Sequence, residues 1–199
     1  MDKRIGAQLF TCRDYCQSAE DLDETIRRVR EIGYKTVQIS AVGRDITGEQ
    51  IRNSAERWGV EVVCTHRSYD EYTKQLDETI RLHKDMGCSI AGLGMMPGEA
   101  HQGKEGLFDF IKKFDEISEK LGKEGITFGY HNHAVEFRKY DGKTILEHLM
   151  ENTNSNFKLI FDVYWAAHAG INPVKVMEKY ADRIAVMHYK DCLLYTSDA

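Results

Sequence analysis

The chain has 199 residues, of which 42% are hydrophobic and 30% charged, with only 2 prolines. This composition is typical of a soluble globular protein and excludes a disordered or fibrous one. The formal net charge of -5, with no stripe of lysines and arginines, argues against a nucleic-acid partner held through its phosphates.

The N-terminal segment "MDKRIGAQLF" passes from charged residues straight into a strand-like pattern, without the long apolar region of a signal peptide. The sequence also lacks the run of about 18 apolar residues that a membrane-spanning helix needs. We therefore expect a cytoplasmic protein that has no membrane partner. The 5 cysteines are odd in number and scattered, so a disulfide framework is not expected.

Short apolar runs with strand periodicity alternate with longer amphipathic segments along the chain. The predicted strands cover residues 4–10, 35–40, 60–66, 88–96, 126–133, 157–163 and 183–191. The predicted helices lie within residues 18–33, 47–59, 69–87, 103–122, 143–153 and 172–181. Such strict alternation predicts a parallel sheet whose strands are joined by helical crossovers.

Two architectures fit this alternation, an open doubly wound sheet and a closed barrel. A nucleotide-binding doubly wound sheet would carry a glycine-rich turn after its first strand, but this chain has "TCRDYCQSAED" there. The polar and ionisable residues instead follow the C-terminal ends of several strands, where a barrel builds its active site. These residues are Arg13, His66, His131, His133, Asp162, His188 and Lys190. We therefore predict an α/β fold of the parallel (β/α)8 TIM-barrel type.

The predicted barrel has seven strands, whereas a closed one needs eight. Because the last residues "DCLLYTSDA" contain no further strand, we expect a single incomplete barrel domain over residues 1–191, truncated after its seventh strand. Residues 192–199 are expected to be a foreign tail or a truncation scar. An open barrel exposes two unpaired strand edges, which predicts homo-oligomers that form through these edges.

Histidines and carboxylates from three strand ends form a candidate metal site. Asp162 follows the apolar run "FKLIF" and His188 follows "IAVM", so both are expected at the barrel mouth. In "GYHNHAVEF", His131 and His133 share one face of a strand, and Glu136 lies in the loop beyond. Imidazole with carboxylate suits Mn, Zn, Co or Fe(II). The alternatives are an aspartate that only caps the next loop and histidines that only pack in the core.

Other side chains at the same mouth are candidates for substrate binding. Arg13 and His66, after the first and third strands, could bind substrate oxygens. Trp165 could form an apolar wall against a sugar ring, although a core position is an equal alternative. The remaining histidines, His83, His101, His148 and His168, are expected to be surface or packing residues.

Five segments occur in an order and at a spacing that resemble a known family. They are "IGAQLFTCRD", "YKTVQIS", "GYHNHAVEF", "FDVYWAAHAG" and "HYKD". Together they span residues 5–191 and resemble the xylose isomerase-like TIM-barrel superfamily, specifically its sugar phosphate isomerase/epimerase branch. The resemblance implies a divalent-metal-dependent isomerase, epimerase or dehydratase that acts on a sugar, keto-sugar or inosose. Mn, Co, Zn and Mg are the cations it implies.

Members of this superfamily typically hold the ion with Glu, Asp, His and Glu from strands five to eight. Carried over by position, Asp162 and His188 match the ligands of strands six and seven. His131 occupies the position nearest to the strand-five Glu, and Glu136 is the nearest carboxylate, so both stay open as ligands. The resemblance also implies an enediolate, with His133 or Glu136 as the base and Lys190 beside a substrate oxygen. Since the fourth ligand has no counterpart in the predicted barrel, impaired activity is expected.

Two other functions remain as alternatives. A non-catalytic sugar-binding or accessory barrel would explain the departure from the usual strand-five Glu. An abasic-site endonuclease of the endonuclease IV kind is disfavoured, because it needs more His and Glu ligands and a basic DNA groove. A small carbohydrate is therefore the expected partner.

Overall fold

The computed structural model describes residues 5–191, which contain seven parallel strands. These are β1 (Ala7–Gln8), β2 (Thr36–Ser40), β3 (Glu61–His66), β4 (Ile90–Leu93), β5 (Thr127–His131), β8 (Phe157–Asp162) and β9 (Ile184–His188). The intervening β6 (Lys139–Tyr140) and β7 (Lys143–Thr144) form a separate antiparallel hairpin.

The parallel strands follow one another in chain order around a barrel wall. One sheet has the order β1-β2-β3 and the other the order β4-β5-β8-β9. A parallel bridge between Arg67 and Leu93 joins the two sheets. Gly92 allows this close approach, because a Cβ there would lie 2.0 Å from the carbonyl oxygen of Thr65. The arrangement confirms the predicted α/β TIM-barrel fold.

The helices alternate with the strands. They are α1 (Ala19–Ile32), α2 (Gly48–Trp58), α3 (Tyr69–Lys74), α4 (Leu76–Met86), α5 (Lys104–Lys123), α6 (Ile145–Glu151), α7 (Val163–His168) and α8 (Pro173–Lys179). Three 3-10 segments cover Leu9–Tyr15, Gly98–His101 and Val135–Phe137. Across residues 5–191, each helix is too short or too polar to cross a lipid bilayer.

Local sequence signals explain where several helices begin and end. The Ser18 side chain accepts a hydrogen bond from the backbone N–H of Asp21 at the start of α1, and Gly33 ends that helix in a left-handed conformation (φ 119°). Thr47 and Gln50 form a capping box at α2. These caps satisfy backbone groups that a helix end would otherwise leave without partners.

Side chains on β2 alternate between the two sides of the barrel wall. Val37 and Ile39 belong to the apolar core that β1–β3 share with α1, α2 and α4. Gln38 and Ser40 therefore face the barrel interior, because successive strand residues point to opposite faces. The larger core lies behind β4, β5 and β8, where the Phe128 ring packs 4.9 Å from that of Phe157.

Several boundary predictions were wrong. The helix predicted over 69–87 is two helices, separated at Gln75, whose φ of -136° is not helical. The first strand is short, because the chain enters a 3-10 segment at Leu9. The short helix α7 was missed, since its apolar start reads as a continuation of the preceding strand. The tail predicted over 192–199 lies outside the described residues.

Candidate metal centre and active site

Three predicted ligands converge at the C-terminal ends of neighbouring strands. Asp162 and His188 are register partners at the ends of β8 and β9, and His131 ends the adjacent β5. One ligand atom from each lies within 4.8 Å of the other two. This group, called the His131–Asp162–His188 cluster below, is therefore a direct product of strand order and register.

Asp162 is the centre of the cluster and is only 1% exposed. Its Oδ2 lies 3.2 Å from His131 Nε2 and 3.7 Å from His188 Nδ1. Its Oδ1 accepts a hydrogen bond of 3.1 Å from the backbone N–H of Trp165, so the aspartate also caps α7. One carboxylate oxygen thus serves the fold, while the other faces two imidazole nitrogens.

In His131 and His188, the ring nitrogen that points away from Asp162 lies beside an acceptor and therefore carries the ring hydrogen. His131 Nδ1 is 3.1 Å from the carbonyl oxygen of Gly94, which can only accept, so Nδ1 carries the hydrogen. His188 Nε2 is 2.7 Å from Gln38 Oε1, which is also an acceptor. When both rings are neutral, their remaining nitrogens present lone pairs to Asp162. Two lone pairs and a carboxylate oxygen then face one another, and this donor set fits a divalent transition metal.

The charge states agree with a cation site. Burial tends to raise the pKa of Asp162, but hydrogen bonding to its carboxylate, which includes the bond from the Trp165 N–H, outweighs burial and holds that pKa well below its usual value. Asp162 is therefore ionised at neutral pH. Burial lowers the pKa of His188, even though Asp162 opposes this shift, so this ring is mainly neutral at pH 7. A negative carboxylate beside a neutral imidazole is the state that binds a metal.

His133 lies beside the cluster, and Trp165 and Lys190 lie beyond it. The His133 ring centroid is 4.6 Å from that of His131 and 5.2 Å from that of Trp165. Its Nδ1 is buried without a hydrogen-bond partner, and burial lowers its pKa to about 4. Lys190 Nζ stands 4.6 Å from the centroid of the Trp165 ring. A free-base imidazole, an indole and an ammonium group thus line one side of the mouth.

His66 packs against two members of the cluster. Its ring centroid lies 4.8 Å from that of His131 and 5.4 Å from that of His188. Burial, followed by the neighbouring histidines, lowers its pKa well below the usual value. Its Nε2 is buried and has no hydrogen-bond partner among the described residues.

Glu136 does not reach the cluster, which corrects its prediction as a ligand or base. Its Oε1 accepts a hydrogen bond of 2.5 Å from the Tyr130 hydroxyl, and its Oε2 accepts one of 2.7 Å from the backbone N–H of His133. The Glu136 side chain is fully buried, and its Oε1 lies 3.9 Å from His101 Nε2. Because both oxygens are already used as acceptors, Glu136 shapes the loop that carries His133.

Arg13 is also placed away from the site. The chain turns into a 3-10 segment after Gln8, so Arg13 is not at the end of an extended strand. Its guanidinium donates to the carbonyl oxygen of Phe10 and stacks 4.5 Å from the centroid of the Phe10 ring. The predicted contact with substrate oxygens therefore has no geometric support.

Two buried amides that sequence reasoning missed position the cluster. Asn132 accepts a 2.8 Å hydrogen bond from the Asp162 N–H and donates one of 3.3 Å to its carbonyl oxygen. Gln38 contacts His188 from β2. Gln38 did give a signal, as a polar residue between apolar neighbours in "TVQIS". A single strand pattern could not show which distant residue it meets.

The cluster opens into a cleft of about 2480 Å³. Its lining at the mouth includes the side chains of His66, His131, His133, Trp165 and Lys190. Arg13 and Glu136 are not among the lining residues. The cleft offers room for a small polar molecule next to the His131–Asp162–His188 cluster.

Comparison with known proteins identifies the family. Residues 20–197 match the model of the xylose isomerase-like TIM barrel, and the chain belongs to this family. It is 26% identical over 197 residues to an inosose dehydratase from Geobacillus kaustophilus, an alignment that covers 85% of this chain. A second inosose dehydratase, from Clostridium botulinum, is 24% identical over 128 residues, covering 62% of this chain.

A solved structure supports the fold. A sugar phosphate isomerase/epimerase from Parabacteroides distasonis superposes with a TM-score of 0.78 at 24% identity, covering 96% of this chain and 76% of that one. The chain spans 61% and 42% of the lengths of the two inosose dehydratases that it matches.

Proposed function

We propose that this chain forms the active site of a divalent-metal-dependent isomerase, epimerase or dehydratase that acts on a sugar, keto-sugar or inosose. The observation that carries the proposal is the His131–Asp162–His188 cluster, in which two imidazole lone pairs and one carboxylate oxygen face each other. The family and the named relatives support the choice of a carbohydrate as substrate.

The cluster's three side chains would hold the cation. When bound, a divalent ion supplies positive charge that stabilises an oxyanion developing on a carbonyl group. Lys190 adds a second positive charge at the same mouth, where it lies over the Trp165 ring. The two charges favour a substrate with adjacent carbonyl and hydroxyl oxygens.

His133 is the side chain placed to move a proton. It is neutral at pH 7 because burial lowers its pKa to about 4, and its Nδ1 has no partner within the structure. A free-base imidazole can take the proton from the carbon next to a carbonyl. A proton returned to the same carbon on its opposite face gives epimerisation, and one returned to the neighbouring carbon gives isomerisation. Loss of a neighbouring hydroxyl, which leaves as water with the proton, gives dehydration. Glu136 fixes the backbone of His133 and does not exchange the proton itself.

The binding surface suits a ring with one apolar face. The ring centroids of Trp165 and His133 are 5.2 Å apart, and the two rings form a continuous aromatic wall in the cleft. Sugar and inosose rings present C–H groups to such walls and hydroxyl groups to polar partners. The His66 side chain also lines this cleft.

Exchange of a substrate C–H with solvent tests the proposal directly. The protein is incubated with Mn²⁺ or Co²⁺ in D₂O with a panel of inososes and ketohexoses, and proton NMR follows the signal next to the carbonyl. We expect metal-dependent loss of that signal, slowed about 10²- to 10⁴-fold in His133→Gln. Asp141→Asn, on an exposed carboxylate paired with Lys104, is the matched control and should exchange normally. No exchange across the panel in metal-loaded protein overturns the proposal.

A non-catalytic sugar-binding barrel is the second candidate. His131 lies where the family resemblance implies a glutamate. This observation favours a protein that has lost catalysis but still binds a ligand in its cleft. In that case the same panel would show ligand binding by saturation-transfer NMR without any exchange. Asp162→Asn would then leave ligand affinity unchanged, whereas a metalloenzyme should lose its metal.

A further inference from the structure

Gln38 is a buried polar residue that the proposed reaction does not use. It is 5% exposed and lies on β2, far along the chain from the three cluster residues. Its side chain enters the barrel interior, because Val37 and Ile39 on either side pack into the opposite core. A buried amide in this position needs hydrogen-bond partners.

Both ends of the Gln38 amide have partners. Its Oε1 lies 2.7 Å from His188 Nε2, across the interior from β2 to β9. Its Nε2 donates to the Ser40 hydroxyl at 3.2 Å, and Ser40 is only 1% exposed. Since Ser40 takes the amide N–H, the carbonyl end of Gln38 is directed at the histidine.

We propose that Gln38 is a positioning residue that fixes the tautomer of His188 and thereby sets the metal affinity of the cluster. This inference rests on the proposed metal centre. A neutral imidazole carries one ring hydrogen, and the Gln38 acceptor holds it on Nε2. His188 Nδ1, 3.7 Å from Asp162 Oδ2, then keeps the lone pair that a metal ligand requires.

Removing the Gln38 acceptor should move the ring hydrogen of His188 to its other nitrogen. Without Gln38 Oε1, the strongest acceptor near the ring is the Asp162 carboxylate, so the hydrogen would move to Nδ1 and point at Oδ2. A ring in that tautomer cannot bind a cation through Nδ1. Loss of a hydrogen-bond partner of this type typically lowers metal affinity about 10- to 100-fold.

Two substitutions of Gln38 distinguish a positioning role from a packing role. Gln38→Leu keeps similar volume but removes the acceptor, whereas Gln38→Glu keeps an acceptor in the same place. We expect Mn²⁺ affinity, measured by calorimetry, to fall about 10- to 100-fold in Gln38→Leu and to stay within about 3-fold of wild type in Gln38→Glu. Gln102→Leu, at an exposed position, is the matched control.

The tautomer is read in metal-free protein by long-range ¹H–¹⁵N spectra of the histidine rings. Wild type and Gln38→Glu should show His188 protonated at Nε2, and Gln38→Leu should show protonation shifted to Nδ1. Unchanged His188 signals in Gln38→Leu, or equal losses of affinity in both variants, would overturn the proposal. If wild type binds no Mn²⁺, the metal centre fails, while the tautomer spectra still decide the role of Gln38.

Discussion

Two buried carboxylates, Glu136 and Asp162, lie at the same mouth of the barrel. They differ in the groups that face their oxygens. Glu136 accepts hydrogen bonds from the Tyr130 hydroxyl and the His133 N–H, so each oxygen meets a donor. Asp162 meets one donor at Oδ1, but its Oδ2 faces two imidazole nitrogens whose hydrogens are directed elsewhere. The first carboxylate is satisfied by the fold, whereas the second belongs to the candidate metal site.

The difference shows why the number of carboxylates at a site says little about metal binding. Both residues are buried, and sequence alone leaves Glu136 and His131 as competing ligands. What separates them is the hydrogen-bond donors available around each oxygen.

Asp162→Asn should produce the largest change. Replacing the charged oxygen between His131 and His188 removes the only anionic member of the cluster. We expect Mn²⁺ affinity to fall more than about 100-fold, since even outer partners of a metal site are worth about 10- to 100-fold. Calorimetric titration measures the effect, and Asp141→Asn serves as the control. Equal affinity in the two variants would place the metal elsewhere.

Glu136→Leu should destabilise the fold without requiring metal. It leaves the buried Tyr130 hydroxyl and the His133 N–H without an acceptor. We expect the free energy of unfolding to fall by about 2–6 kcal/mol, from about 1–3 kcal/mol for each of the two unsatisfied groups. Denaturant unfolding in EDTA measures it. Glu136→Gln should cost less, because its amide can accept from His133 and donate to Tyr130. Equal losses in both variants would argue against this role.

Asp162→Asn in metal-free protein should give a smaller effect of opposite sign. The new amide can still accept from the Trp165 N–H, and its NH₂ group can donate to a lone pair of His131 or His188. We expect the free energy of unfolding to rise by about 1 kcal/mol in EDTA, the usual net value of one hydrogen bond. A loss of stability comparable to that in Glu136→Leu would contradict the lone-pair arrangement.

The buried histidines around Asp162 also predict that the free energy of unfolding depends modestly on pH. Burial is the main cause of the lowered pKa of His66, His133 and His188. A histidine with a lower pKa in the folded chain binds fewer protons there than in the unfolded chain. Stability is therefore fully present above the unfolded pKa of about 6.5 and decreases as pH falls below it.

Unfolding measured in EDTA at pH 7.5 and at pH 6 should show this decrease. His133→Gln should weaken the dependence, because its pKa of about 4 is far below the unfolded value. A flat profile in wild type would mean that these rings are not buried as described.

Much of the fold could be predicted because periodicity is a local property. Alternation of strands and helices, and polar residues after strand ends, were enough to predict the barrel and to place Asp162 and His188 at its mouth. The break at Gln75 and the start of α7 at Val163 depend on tertiary packing and carry no proline or glycine signal. Arg13 was misplaced for the same reason, because the 3-10 segment after β1 has no marker in the sequence.

The composition of the site was harder to predict than its location. Whether His131 or Glu136 joins the cluster depends on the Tyr130 hydroxyl, which lies on the same strand but on the opposite face from His131. The Gln38 contact joins residues 150 positions apart. No spacing rule connects such distant residues, so these hydrogen bonds emerge only from the assembled barrel.

A crystal of the protein soaked in Mn²⁺ and measured at a wavelength with strong manganese anomalous scattering tests the central claim most directly. We expect one anomalous peak among His131 Nε2, Asp162 Oδ2 and His188 Nδ1, at coordination distance from all three atoms. No peak between these atoms in metal-binding protein, or a peak at Glu136, would contradict it.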